Sequence, residues 1–165
     1  MPIQLLGSLD NARRQTLRLV DDLTEEQFFA KTKNSMHNAA WTVGHLMFFD
    51  TYIADLFSPE DVTIADRWAA AFGPGSTPND AISNADKAEL LAQLDRYRMI
   101  MLAAVGMLHE QDLNEPNPDA STRTNLPTIR DLLAYTLWHE AYHAGQLSSW
   151  RKLNNLPTVG IAFLD

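Results

Sequence analysis

Apolar and polar positions follow a helical period along four long stretches of the chain. From about Ile3 to Leu23, apolar residues recur mostly three and four positions apart, which places them on one helix face and Arg13 on another. The same period runs from about Asn38 to Phe57, from near Ser83 to Leu113 and from Thr128 to about Asn154. The sequence has no period-two pattern longer than a few residues, so it predicts an all-α protein.

Start and stop signals agree with these four stretches. Asn38, Ser83 and Thr128 each precede a periodic segment, and each has a side-chain oxygen that can accept a hydrogen bond from a first-turn N–H. Asp131, three residues after Thr128, suits the positive end of a helix. Pro59 follows the second stretch and disfavours helical geometry in the residue before it. We therefore expect N-caps at the three polar residues.

Two long connections separate the predicted helices. Residues 58–82 contain a short apolar patch, which predicts one or two helical turns from Asp66 to Phe72, and then a Gly/Pro-rich segment. Asn114 to Pro127, with three prolines, predicts a second loop. Connections this long often carry function. Together, the pattern predicts one domain over residues 1–165, a four-helix bundle with a long crossover connection.

Composition narrows the classes of partner. Lys and Arg number 13 against 21 Asp and Glu, a net charge of −8 that argues against nucleic acid or an anionic membrane as the main partner. There is no cysteine, so the protein supplies neither a disulfide nor its own thiolate. The N-terminus does not resemble a signal peptide, and no apolar run approaches the roughly 20 residues that span a bilayer. These observations predict a cytoplasmic domain.

The fourth helix carries the strongest chemical motif. His139, Glu140 and His143 form H-E-x-x-H, the zinc-binding signature of many metallopeptidases. Histidines four apart can converge on one cation, although a hydrogen-bonded structural pair is the alternative. The extended peptidase pattern needs Gly at 146 and His at 149, where this chain has Gln146 and Ser149, and no Glu follows in the chain. The peptidase hypothesis therefore ranks last.

A third ligand is available upstream. His45 lies early in the second helix, on a stripe that also contains Trp41, Phe49 and Tyr52. A bundle core can join ligands from facing helices. Gly44, next to it, leaves room for a close helix approach or for a bound group. The sequence therefore places His45 as the candidate partner of the histidine pair.

Two segments together resemble a known family. "WTVGHL" opens the second helix and "HEAYHAGQL" follows in the fourth, and with the helix pattern they resemble the DinB-like (DinB/YfiT) superfamily of metal-dependent proteins over nearly the whole chain. The resemblance implies a four-helix bundle with a long crossover, often a homodimer, and a divalent metal, commonly zinc or nickel. Matched residue by residue, the implied ligands are His45, His139 and His143. Glu140 has no fixed catalytic role in the family.

Three functional hypotheses follow. The first is a metal-dependent enzyme acting on a small molecule, either a hydrolase or a thiol-dependent S-transferase or isomerase, since relatives use bacillithiol, mycothiol or glutathione. Three neutral imidazoles leave the metal charge uncompensated and a coordination position open, and the metal then lowers the pKa of a bound water or thiol. The lack of cysteine fits a low-molecular-weight thiol that arrives as cosubstrate. The second hypothesis is a non-catalytic, stress-linked metal-binding or ligand-binding module, and the third is a zinc metallopeptidase.

Three further residues are candidates for binding a substrate. Tyr52 and Trp68 could wall a pocket, although aromatic residues at such positions are more often part of the core. Gln146 could hold a polar group of a ligand, and its alternative role is an interhelical hydrogen bond.

Overall fold

The computed structural model describes residues 2–30, 37–58, 62, 64, 66–77 and 85–160. Within these ranges the chain forms six α-helices and a short 3₁₀ turn, and no β-strand, which confirms the all-α prediction. The helices are α1 (Pro2–Arg18), α2 (Glu25–Phe28), α3 (Ala39–Phe57), α4 (Asp66–Phe72), α5 (Lys87–Gly106) and α6 (Ile129–Leu153), and the 3₁₀ turn spans Asp112–Asn114.

The four long helices α1, α3, α5 and α6 form the bundle. Helix α3 packs along α5 and α1 along α6, while α1 also meets α5 and α3 also meets α6. One core cluster contains Trp41, Phe72 and Trp150, and a second contains Ile53 and Met101. Burying each large apolar side chain contributes about 1.5–3 kcal/mol. In the part of the chain that the structure describes, no helix is long and apolar enough to cross a membrane.

Two of the predicted caps are observed directly. The Asn38 side chain accepts a hydrogen bond from the backbone N–H of Trp41 at 2.8 Å. Thr128 and Asp131 form a reciprocal capping box at the start of α6. The short helix predicted over Asp66–Phe72 is also present, as α4. Side-chain caps therefore set the starts of α3 and α6 as the sequence indicates.

The first helix is shorter than the periodicity predicts. It ends at Arg18, whereas the apolar pattern continues to Leu23. The reason is a second N-terminal signal: Thr24 accepts from the N–H of Gln27, whose side chain in turn accepts from the backbone of Thr24. This capping box starts the separate helix α2.

The third long helix, α5, also begins and ends at residues other than those that the sequence predicts. It follows Asp86, whose side chain accepts from the N–H of Glu89. The predicted cap Ser83 lies outside the described residues. The helix ends at Gly106, before the predicted limit at Leu113. The apolar residues beyond Gly106 belong to the following turn instead.

A single buried asparagine organises the loop between α5 and α6. Asn117 is fully buried, and its Nδ2 donates to Thr122 Oγ1 and to the Leu126 carbonyl, both at 2.9 Å. Its backbone N–H donates to the Pro127 carbonyl at 3.0 Å. These bonds hold the loop together. Asn117 Oδ1 also accepts from the backbone N–H of Asp119 at 3.0 Å, which fixes the position of Asp119.

Candidate metal centre

The three histidines singled out in the sequence converge between α3 and α6. The Nε2 atoms of His45 and His139 lie 3.3 Å apart, and those of His143 and His139 lie 3.1 Å apart. One ring nitrogen from each residue falls within 4.8 Å of the other two. His139 and His143 are buried and His45 is half-buried. The structure thus brings together ligand candidates that are 94 positions apart along the chain.

These separations fit a bound cation. Two nitrogens that each lie roughly 2.0–2.1 Å from a tetrahedral metal are about 3.3–3.4 Å from one another. Hydrogen bonds among the three rings cannot provide a partner for every Nε2 atom in the cluster. His45 Nδ1 must donate to the Phe72 carbonyl at 2.8 Å, so a neutral His45 presents a lone pair at Nε2. His139 Nε2 lies near the Nε2 atoms of both His45 and His143 and carries at most one proton, so it can donate to only one of them.

Gly44 determines how His45 is oriented. A Cβ atom at this position would lie 2.1–2.3 Å from ring atoms of Phe72, so only glycine lets α4 approach α3 this closely. Phe72 is itself buried, and its carbonyl receives the Nδ1–H of His45. Of the two roles considered for Gly44, the close helix approach is the one observed. The outer hydrogen bond fixes the tautomer that leaves Nε2 free to bind a metal.

Burial keeps the three imidazoles neutral. It lowers the pKa of His139 to about 3 and that of His143 to about 4, and the neighbouring histidines act in the same direction. Burial also lowers the pKa of His45, against the opposing effect of the hydrogen bond to Phe72. Because a metal binds the neutral form, the metal-free cluster is prepared for a cation at neutral pH.

The metal-free protein is therefore expected to lose stability on mild acidification. An unfolded imidazole titrates near pH 6.5, well above the lowered folded-state pKa values, so the unfolded chain binds more protons below pH 6.5. The free energy of unfolding should then fall from pH 6.5 towards about 4, and remain constant above pH 7. Urea unfolding of the chelator-treated protein between pH 5 and 7.5 measures this, and H139Q should reduce the slope. A slope that H139Q leaves unchanged would contradict the assignment.

Glu140, the middle residue of the H-E-x-x-H motif, points away from metal chemistry. It is only 2% exposed, and both carboxylate oxygens accept hydrogen bonds from Arg13, at 2.9 and 2.8 Å. Thr16 donates at 2.7 Å, and Arg98 Nη2 donates as well. The arginines hold the pKa of Glu140 at about 2, against the effect of burial. Such a carboxylate is not available as a general base.

Asp50 completes this buried ionic cluster, which comprises Arg13, Asp50, Arg98 and Glu140. Its Oδ2 lies 3.0 Å from Arg13 Nη2 and 3.4 Å from Arg98 Nε. Two arginines and two carboxylates balance in charge, and they join α1, α3, α5 and α6. The expectation that Arg13 lies away from the buried face is wrong, because its guanidinium finds two buried carboxylates.

A cavity of about 510 Å³ opens beside the histidines, and His45 forms part of its wall. Most of the lining is apolar. The aromatic residues that line it are Phe48, Phe49, Tyr52 and Tyr135. Besides His45 and the two tyrosines, Asp119, Thr122 and Asn125 supply polar groups, all from the loop organised by Asn117. Nothing in the sequence of this loop marked these three residues, because their position depends on hydrogen bonds within the folded loop.

The three candidate substrate residues have different positions. Tyr52 lines the cavity, and its hydroxyl donates to Asp119 Oδ2 at 2.5 Å. Trp68 is buried in the core, stacked against Phe72 at 5.9 Å between ring centroids, and does not line this cavity. Gln146 lies beyond His143 on α6, outside the cavity lining. The structure brings only Tyr52 to the cavity.

Gln146 instead approaches a candidate ligand. Its polar side chain opposes the fall in the pKa of His143, so the two groups are close. Yet within the described residues neither Gln146 Oε1 nor His143 Nδ1, both enclosed, makes a hydrogen bond of normal geometry. This acceptor and this ring nitrogen are natural partners for one another once the ring carries its proton on Nδ1.

Fold and site together define an all-helical bundle with a three-histidine group that could hold a divalent metal. A family model of the DinB superfamily matches residues 8–147, and the chain belongs to this superfamily. The match includes all three histidines and the whole of the ionic cluster. None of the curated proteins compared with the chain matches it.

Proposed function

We propose that the protein is a divalent-metal-dependent enzyme that transfers or isomerises a small molecule with the help of a low-molecular-weight thiol. His45, His139 and His143 would hold the metal, with zinc or nickel as the expected ions. The observation that carries the proposal is the convergence of three neutral imidazoles beside a cavity that His45 lines and that is large enough for a small molecule. The Nε2 atoms of His45 and His143 lie 3.3 and 3.1 Å from that of His139.

Two features favour an enzyme over a purely structural metal site. Structural zinc sites are usually closed by four protein ligands, whereas catalytic sites keep three and leave a position open. Here three histidines form the group found among the described residues, and His45 also faces the cavity. A metal bound there would lower the pKa of a thiol or water that occupies the open position.

The thiol part of the proposal depends on composition and on family resemblance. The chain has no cysteine, so thiol chemistry here requires a thiol that arrives with the substrate. The hydrolytic alternative of H-E-x-x-H peptidases is disfavoured by the position of Glu140, whose carboxylate is occupied by Arg13 and Arg98.

Metal content tests the first half of the proposal. The purified protein, dialysed against zinc or nickel, should retain about one equivalent of metal by elemental analysis. H45A and H143A should retain little, because two imidazoles rarely suffice for a stable site. H109A is the matched control, since His109 is exposed and lies after α5, and it should bind as the parent does. Undiminished metal in H45A and H143A would refute the three-histidine site.

Catalytic turnover tests the second half of the proposal, that the metal-loaded protein is an enzyme. The metal-loaded protein is expected to accelerate the reaction of small electrophiles with at least one of bacillithiol, mycothiol or glutathione, and H143A is expected not to. Stoichiometric metal without turnover of any electrophile and thiol pair would favour the non-catalytic binding module instead.

Gln146 is expected to support the metal through His143. A histidine that binds metal through Nε2 carries its proton on Nδ1, and Gln146 Oε1 is the enclosed acceptor close to it. Loss of such an outer hydrogen bond typically costs 10–100-fold in metal affinity. We expect a reduction of about that size in Q146L, measured by competition with a chelator. Q111L, at an exposed glutamine, is the control; equal affinities in the two variants would refute this role.

The homodimer implied by the family resemblance is also part of the proposal. Trp138 and Tyr142 are 56% and 48% exposed and stack on one another along α6. Large exposed aromatic residues are typical of protein interfaces. Light scattering across a range of protein concentrations should give twice the monomer mass, and W138S should lower it.

A further inference from the structure

In the part of the chain that the structure describes, the wall of the cavity beside His45 carries charge of only one sign. Among the described residues that line it, Asp119 is the acidic one, and none is lysine or arginine. A pocket that selects a carboxylate or phosphate normally offers a guanidinium or ammonium group. Away from the histidines, this cavity therefore offers an anionic substrate no such partner.

The Asp119 carboxylate is held in place by neutral donors. Tyr52 donates to Oδ2 at 2.5 Å, while the backbone N–H and the hydroxyl of Ser121 donate to Oδ1 at 2.8 and 2.7 Å. These hydrogen bonds, that of Tyr52 first, lower the pKa of Asp119 to about 2. None of the three donors carries a positive charge, so an anionic carboxylate lines this part of the cavity.

Aromatic side chains line the cavity between the histidines and Asp119. Phe49 contacts Tyr52 and Tyr135, with ring centroids 5.7 and 6.1 Å apart, and Phe49 also packs on His139 at 4.1 Å. Aromatic faces bind apolar groups and also attract cations. The apolar wall therefore joins the histidine group at one end to an anionic carboxylate at the other.

From this arrangement we infer that the substrate is a small apolar, ring-bearing amine, whose protonated nitrogen binds Asp119 while its reacting group faces the histidines. The inference rests on the proposed function for the reacting end. The amine end depends only on Asp119, Tyr52 and the aromatic wall, and so can be tested separately.

The test is a comparison of three ligands of similar shape on the full chain. Calorimetric titrations would use 2-phenylethylamine, 2-phenylethanol and 3-phenylpropionate, on both zinc-loaded and chelator-treated protein. In both forms the amine should bind at least about tenfold more tightly than the alcohol, and the carboxylate most weakly on the metal-free form. D119N should remove the preference for the amine and leave the alcohol unchanged. D55N, which removes an equal charge from the exposed side of α3, should leave all three affinities unchanged.

The outcomes separate this inference from the proposed function. Amine preference that disappears in D119N supports the inference even if the chain binds no metal, in which case only the proposed function fails. Metal bound by the three histidines, with no preference for the amine in the parent protein, overturns the inference and leaves the proposed function standing. Equal preference in D119N and in the parent also overturns it, because the amine would then bind elsewhere. Use of three ligands on the unaltered chain keeps the test decisive even if D119N does not fold.

Discussion

Replacing Glu140 by glutamine is expected to lower the free energy of unfolding by about 3–5 kcal/mol. The substitution keeps the size of the side chain but removes one of the two negative charges that balance Arg13 and Arg98. Breaking a buried ionic cluster in this way leaves an uncompensated positive charge away from water. Since small domains are stable by only about 5–15 kcal/mol in total, a large part of the stability should be lost.

Urea unfolding of E140Q at pH 7 measures this effect. The matched control is E89Q, which removes an acid from the exposed ion pair with Arg67 and should cost about 0–1 kcal/mol. An E140Q protein as stable as E89Q would contradict the structural role of Glu140.

The fold was largely predictable because its signals are local. Asn38 and Thr128 cap helices through side chains that bond to residues three positions away, and the apolar period identifies the helix faces. The first helix was predicted too long because the apolar spacing continues past Arg18. There the capping box of Thr24 and Gln27 decides the boundary, and periodicity alone does not register a cap.

The candidate site was predictable only in part. His139 and His143 form a local motif, and His45 could be added because a bundle brings facing helices together. The partners of Glu140 could not be predicted from the sequence, because Arg13 and Arg98 come from two other helices and arginine is ordinarily a surface residue. Asp119 was missed for a related reason, as only the folded loop directs it towards Tyr52.

The G44A variant is expected to weaken both the fold and the metal site. In an ordinary helix interior, exchanging glycine for alanine stabilises by roughly 1 kcal/mol. Here the new methyl group would lie 2.1 Å from the ring of Phe72, which is only 1% exposed, so the ring or helix α4 must shift. Overpacking of this kind typically costs about 1–3 kcal/mol. The displaced α4 would also carry the Phe72 carbonyl away from His45, so metal affinity should fall about 10–100-fold.

G145A provides the matched control for this prediction. Gly145 also lies inside a long helix, α6, but a Cβ atom there would meet nothing within 4 Å. G145A should therefore be as stable as the parent or more so, with unchanged metal affinity. G44A should be less stable than the parent and bind the metal less tightly. If G44A loses stability but keeps its metal affinity, the hydrogen bond from His45 to Phe72 does not orient the ligand. If G44A matches G145A in both stability and metal affinity, α4 does not pack on α3 as closely as described. The explanation of how His45 is oriented then fails as well.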